Sequence, residues 1–345
     1  MPVETEIKGY ARSLGASAVA VVEAGEYPGY ARQVRERLAD RGFDRSDYLL
    51  GAEEPPFYER LAFPRRFLPW ARSIILIGVY ALDKRGDFST TGAGLRGKIA
   101  RTYRYYPVVR SIAEQVSRFA SGRLGVPAEQ GQQVPLKLLA SRTPLGSYGE
   151  NGLLLSPAHG SYTALRAVVT GARLRPDPED GRDYCLHCGA CRRACPTGAL
   201  YEPYKVDPSL CVNTVGRKSD PVPPELRAGM GGWFRGCDVC QEACPRNREL
   251  VPREPDRRAG FEPRYHTSHR FLHGMEPTPP LIPLLAADRP PLIRRNAAIC
   301  LGNIAAGDPR AVHALRAARE EADGWLAGYL DWALERADGK GVQGA

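Results

Sequence analysis

Eight of the nine cysteines in this chain fall between residues 185 and 244, in two spaced runs, and they constrain its fold more than any other feature. Cys185, Cys188, Cys191 and Cys195 lie in YCLHCGACRRACPTGAL, a C-x2-C-x2-C-x3-C-P run. Cys211 follows, and Cys237, Cys240 and Cys244 close the pattern in GCDVCQEACPRN, a C-x2-C-x3-C-P run. Eight thiolates divide into two sets of four. Two structural zinc ions would also use eight, but three ligands spaced two residues apart and followed by x3-C-P wrap a cube better than a tetrahedral ion. Disulfides need an oxidising compartment, and MPVETEIKGYARSLGA at the N-terminus lacks the apolar core of a secretory signal. The pattern therefore implies two 4Fe–4S clusters. Cys300, in NAAICLGN, reads as a small buried residue on an apolar helical face.

The first run has the spacing of bacterial two-cluster ferredoxins, in which the fourth cysteine ligates the other cluster. That crossover assigns Cys185, Cys188, Cys191 and Cys244 to one cluster. It assigns Cys195, Cys211, Cys237 and Cys240 to the other. Pro196 and Pro245 follow the last cysteine of each run and turn the chain away. Arg192, Arg193 and Arg246 stand beside the cysteines, either tuning anionic clusters or serving as solvated surface charge.

The cysteine-bearing stretch accounts for a minor part of 345 residues, so most of the chain binds or transforms something else. The longest apolar run, SIILIGVYAL at 73–82, is far too short to span a membrane. A cytoplasmic protein with no membrane contact is expected. The net charge is +9, with 48 Lys and Arg against 39 Asp and Glu. Such a balance favours nucleic acid or another polyanion, although an arginine-rich composition alone also produces it.

Helices and strands alternate over 1–172. ETEIKGYARSLG reads as an amphipathic helix, ASAVAVVEA as a buried strand, 29–41 as a helix and RSIILIGVYAL as a central strand. A helix is expected over 107–121 with Pro107 at its start. A weak strand near 133–137, a helix near 137–143, and strands in NGLLLSP and SYTALRAVVTGARL follow. This alternation predicts an α/β domain over 1–172. Residues 173–255 form the double-cluster ferredoxin-like module. After the proline-rich linker EPTPPLIPLLAADRPP, residues 256–345 end in a short α-helical tail resembling a HEAT-type repeat, with Asn296, Leu301, Gly302 and Asn303 in its first helix. That tail reads as a cap on the cluster module or a ledge for a polyanionic partner.

The order of parts resembles the epoxyqueuosine reductase family, cobalamin-dependent enzymes of tRNA queuosine biosynthesis that are related to reductive dehalogenases. The matching segments are FLPWARSIILIGVYAL, LGSYGENGLLLSPAHGSY, CLHCGACRRACPTGALYEPYKVDPSLC, PPELRAGMGGWFRGCDVCQEACPRN and IRRNAAICLGN. The resemblance implies that the N-terminal domain binds a corrinoid and that the clusters pass electrons to its cobalt, which reduces the substrate. It makes Gly146, Gly149 and Asn151 candidate corrinoid contacts. A ferredoxin or flavodoxin would donate electrons, tRNA is the implied partner, and a monomer is expected.

The chain departs from the family pattern at three places. The proton-donating aspartate has its counterpart at Gln130 or, with a two-residue gap, at Gln132, and Glu129 is the only carboxylate nearby. The Asp-Tyr-His stretch is replaced by Tyr105, Tyr106 and Pro107, and the lysine before Asn151 is Glu150. Glu129, Tyr105 and Tyr106 are therefore the candidate acids, with Tyr103 beside them and Arg101 and Arg104 expected to lower a phenol pKa. The alternatives are a dehalogenase-like or other corrinoid reductase with a non-tRNA substrate, and a corrinoid-free double-cluster electron carrier. Among the six histidines, His187 lies inside the first cysteine run, and His266, His269 and His273 read as loop surface.

Overall fold

A computed structural model describes residues 1–41, 56–82, 94–131, 134–219, 221–250, 278–322 and 324–338. Gln132, His266, His269 and His273 lie outside the described residues. Helix α1 (Val3–Ser13) buries Ile7 and Ala11 and leads into β1 (Ala18–Glu23). A helix over Pro28–Arg41 precedes β2 (Ser73–Tyr80), all eight residues of which are buried. A strand apolar on both faces belongs in the middle of a covered sheet. With β3 (Ala128–Gly131) and β4 (Thr163–Thr170), the sheet runs in the order β1-β2-β4-β3, and every neighbouring pair is antiparallel.

Alternation along β2 sends its side chains to two different cores. Ile75 and Ile77 meet α1 and α2 (Thr102–Leu124) through Ile7, Val109, Ile112 and Val116. Ile74 and Leu76 meet Leu139, Leu145 and Leu154 on the opposite face. Helix α2 begins at Thr102, so Pro107 lies inside it rather than at its first turn as expected. A proline there removes one intrahelical hydrogen bond. Burial of Tyr103, Arg104, Tyr105 and Pro107 itself holds the extended first turn in place. The helix closes on Gly125 at φ +65, the left-handed cap that glycine adopts freely.

A third core joins distant parts of the chain. Lys98–Ile99 pairs in parallel with Trp233–Arg235. Ile99, Ala100 and Tyr103 then pack with Val212, Met230 and Phe234, and with Ile299, Leu301 and Leu330 of the C-terminal helices. Those helices are α3 (Pro291–Ile304), α4 (Pro309–Glu320) and α5 (Gly324–Ala337). Cys300 is fully buried in this core, and burial pushes its thiol well up.

Polar groups of α3 fix it to the cysteine-bearing segment. Asn296 Nδ2 donates to the carbonyls of Gly216 at 2.8 Å and Phe234 at 3.0 Å. Arg295, with no exposed surface, donates to Val215 O, Lys218 O and Asn296 Oδ1. Asn303 Nδ2 reaches Arg227 O and Gly231 O. Among the described residues no helix is long and apolar enough to cross a membrane.

Candidate iron–sulfur centres and reductase site

The cysteines sit on short helical turns and the loops that enter them. Left-handed backbone at His187 (φ +48) and Gly189 (φ +65) folds the first run tightly. Cys185, Cys188, Cys191 and Cys244 line one partly open cavity, walled also by Gly149, Glu150, Asn151 and Arg246. Cys244 thus stands with the first three cysteines rather than with its own run. Cys195, Cys211, Cys237 and Cys240 form a second neighbourhood. Burial pushes the Cys237 thiol up to about 12, and Asp238, Cys211 and Cys195 add to it. Cys240 is raised well above its ordinary value by burial and then by Cys237 and Cys211.

The donor set suits metal ligation. Buried thiols that repel one another's anions hold their protons until a cation takes up the charge. In the first quartet Cys191 and Cys244 are also raised by burial first, Cys191 then by Glu150 and neighbouring cysteines and Cys244 then by Cys188 and Cys185. Among the described residues no three Cys, His, Asp or Glu side chains are drawn together around the place of a single metal ion. The first quartet instead lines the wall of a cavity.

Two charged networks flank the quartets. Beside the first, Glu150 is 6% exposed. Its Oε1 lies 3.3 Å from His187 Nδ1, and His187 Nε2 lies 2.9 Å from Asp183 Oδ2. The hydrogen bond to Asp183 is the main cause of the raised His187 pKa. Beside the second, Asp238 has no exposed surface, and burial lifts its carboxyl to about 6 against the pull of Arg101. Arg101 N donates to Asp238 Oδ2 at 2.8 Å and its guanidinium reaches Glu242 at 2.9 Å. Gln241 Nε2 donates to Asp238 Oδ1 at 2.6 Å, while Ser161 Oγ donates to Gln241 Oε1 and Asn247 Nδ2 donates to Ser161 Oγ. A buried polar chain therefore ties the start of β4 and the entry to α2 to the second cysteine run. Sequence reasoning missed Asp238 as a member, because its partner Arg101 lies 137 residues away.

The candidate acids fall in three different settings. Glu129 is exposed on the edge strand β3, opposite Val169, and Gln130 Nε2 donates to Glu114 Oε1 at 3.0 Å. Tyr105 is 4% exposed in the core between α2 and the sheet. Tyr106 keeps 40% of its surface exposed, yet loss of solvent pushes its phenol up against the opposing charge of Arg217. The expected lowering of a phenol pKa by Arg101 and Arg104 is not found: desolvation wins, and Tyr103 reaches about 12 with its hydroxyl 3.0 Å from Asn213 Oδ1. Arg101 is turned instead to Asp238 and Glu242.

The candidate corrinoid contacts belong to a hairpin in which Ser147–Tyr148 pairs with Leu154–Leu155. A Cβ on Gly149 would meet Asn151 Oδ1 and Leu155 Cδ1 at 2.9 Å, and one on Gly146 would run into the Leu155 carbonyl. Asn151 Oδ1 accepts from Leu153 N at 3.1 Å. The hairpin's own packing accounts for both glycines. Across it, Lys137 is exposed and donates to Gly152 O at 2.6 Å, and its ammonium is lowered by desolvation and then by Arg37. Lys137 and Tyr106 are both exposed side chains whose pKa values are shifted chiefly by desolvation.

The 4Fe–4S double cluster binding domain family matches residues 184–247. An epoxyqueuosine reductase of Synechocystis sp. is 32% identical over 213 residues, covering 58% of this chain and 70% of the relative. The Bacillus subtilis enzyme of that name is 27% identical over 364 residues, covering 92% of each chain. Among solved structures, the Streptococcus thermophilus epoxyqueuosine reductase superposes with a TM-score of 0.80 at 22% identity, covering 98% of this chain and 90% of that one. Another, solved with an epoxyqueuosine-modified tRNA-Tyr stem loop, gives 0.71 at 24% identity, with 97% and 98% covered. At those identities the likeness establishes the fold.

Proposed function

The chain belongs to the epoxyqueuosine reductase family, and on that premise we propose that it reduces epoxyqueuosine in tRNA with electrons passed through two 4Fe–4S clusters. The observation that carries this reading is the gathering of Cys244 with Cys185, Cys188 and Cys191 around one cavity, inside a segment that matches the double-cluster family. Cys195, Cys211, Cys237 and Cys240 hold the second cluster. Close crossover ligation places the two clusters in one electron path. The net charge of +9 suits a tRNA backbone.

A bound corrinoid supplies the strongly reducing chemistry that epoxide reduction needs. The setting of Tyr106 and Lys137 fits a large group that excludes water while leaving both side chains accessible. Tyr106 and Lys137 would line that site, and Asn151, which walls the cavity of the first quartet, would stand beside it. Tyr106 holds its proton at neutral pH because burial disfavours the phenolate. Of the three candidate acids it alone combines accessibility with a phenol raised by desolvation, so in this reading it hands a proton to the substrate. A corrinoid reductase acting on a non-tRNA substrate is the second reading, favoured by Gln130, an amide bound to Glu114.

Anaerobic reconstitution of the full chain with iron, sulfide and cobalamin tests the reading. About eight irons and a tightly held corrinoid are expected. Eight irons with no corrinoid uptake would leave an electron carrier and remove the reductase. Restoration of queuosine in tRNA of a reductase-deficient strain tests the substrate. Failure to restore it by a soluble, cluster-loaded protein favours the second reading.

A further inference from the structure

We propose that buried Glu150 and its partly exposed neighbour Arg192 set the reduction potential of the first cluster, Glu150 lowering it and Arg192 raising it. The inference rests on the reading of Cys185, Cys188, Cys191 and Cys244 as cluster ligands.

The carboxylate of Glu150 is confined to the wall of the cavity those four cysteines line. Its backbone is held in the hairpin, where Tyr204 N donates to Glu150 O at 2.9 Å. With 6% of its surface exposed, Glu150 has lost nearly all hydration, a loss that charged groups tolerate only with compensation. The compensation is partial. Oε1 meets His187 Nδ1 at 3.3 Å, while Oε2 is buried, lacks a hydrogen-bond partner among the described residues, and lies 3.7 Å from Arg192 Nε. Arg192 follows Cys191 directly in the chain.

A negative charge beside a centre that gains an electron opposes the gain, and a positive charge favours it. The screening that weakens this between exposed groups is reduced at a carboxylate this deeply buried. The carboxylate that acts on Cys240 of the second quartet is Asp238, whereas Glu150 acts on Cys191 of the first, so a change at Glu150 bears chiefly on the first cluster. The step itself is a one-electron transfer from a low-potential donor of the ferredoxin or flavodoxin class, with no bond made or broken.

Redox titration of the reconstituted full chain with mediators, followed by EPR, tests the proposal. The first cluster is identified as the signal lost in Cys188→Ser. In Glu150→Gln that cluster is expected to move to higher potential, shifting its oxidised-to-reduced ratio at fixed potential about tenfold, or ~59 mV for one electron. In Arg192→Gln the same cluster is expected to move to lower potential, with the second cluster unmoved in both variants. Two shifts in the same direction, equal shifts of both clusters, or no shift would overturn the proposal. If Glu150→Gln fails to hold its first cluster, Arg192→Gln decides alone, and an unmoved potential overturns the idea. A wild-type chain that takes up no clusters would overturn the functional reading instead.

Discussion

The first cysteine quartet lines a cavity open on one side, with Cys188 exposed and Leu186 beside it 56% exposed. The second is set against the core that the C-terminal helices close, where Cys237 packs against Phe234, Val212 and their neighbours. The same four-thiol chemistry is thus placed in two environments. Charge and solvent exposure are among the factors that fix a cluster's potential. The open quartet is suited to exchange electrons with partners and is surrounded by titratable and charged groups. The closed quartet is bound up with folding, because its ligands hold together segments from α2 to α3.

The sharpest way to break this comparison is to remove one ligand from each side. Cys240→Ser is expected to lose the second cluster and lower Tm by ~10 °C or more, since metal-binding free energy at a buried site is folding free energy. Cys188→Ser is expected to lose the first cluster with a shift of only a few degrees, because its loop is on the surface. Calorimetry and iron analysis under anaerobic conditions read both, and equal shifts would remove the distinction. Asn296→Ala comes next. It strips two donors from the carbonyls of Gly216 and Phe234 and leaves the buried Arg295 guanidinium short of an acceptor. A loss of about 3 kcal/mol in urea unfolding is expected, together with weaker retention of the second cluster and none of the first. Gln241→Leu is milder, about 2 kcal/mol, because Asp238 loses one donor but keeps Arg101.

The cysteine spacing made the double-cluster segment legible, because ligand spacing is written locally in the chain. Strand β2 was equally plain, since the apolar run that follows Ser73 has few other places to go. The antiparallel strand order was not legible, because it depends on which edges meet after the helices have packed. Pro107 marked a helix start in the sequence but lies inside α2, where burial of Tyr103 and Arg104 outweighs one missing hydrogen bond. Asn296 stood out as a repeat residue, yet its work is to satisfy carbonyls 80 and 62 positions away. Glu150 appeared in the sequence only as a departure. Its burial beside four thiols becomes visible once the hairpin is folded against the first run.

The smallest expected effect separates the two adjacent tyrosines of α2. Tyr103 and Tyr106 meet edge to face with centroids 5.6 Å apart, but they point into different regions. Tyr103 is 6% exposed, lies beneath the Arg235 guanidinium, and donates to Asn213 Oδ1 next to the second quartet. Tyr103→Phe removes only that hydroxyl, and water can replace it because Asn213 is partly accessible. A loss of about 1 kcal/mol is expected, with iron content, potentials and turnover unchanged. Tyr106→Phe is expected to leave stability within about 0.5 kcal/mol, as for other surface changes, while turnover falls about 100-fold for want of a positioned acid. If Tyr103→Phe impairs turnover as strongly as Tyr106→Phe, the proton path runs past the closed quartet. Tyr106 would then lose its role as the proton donor.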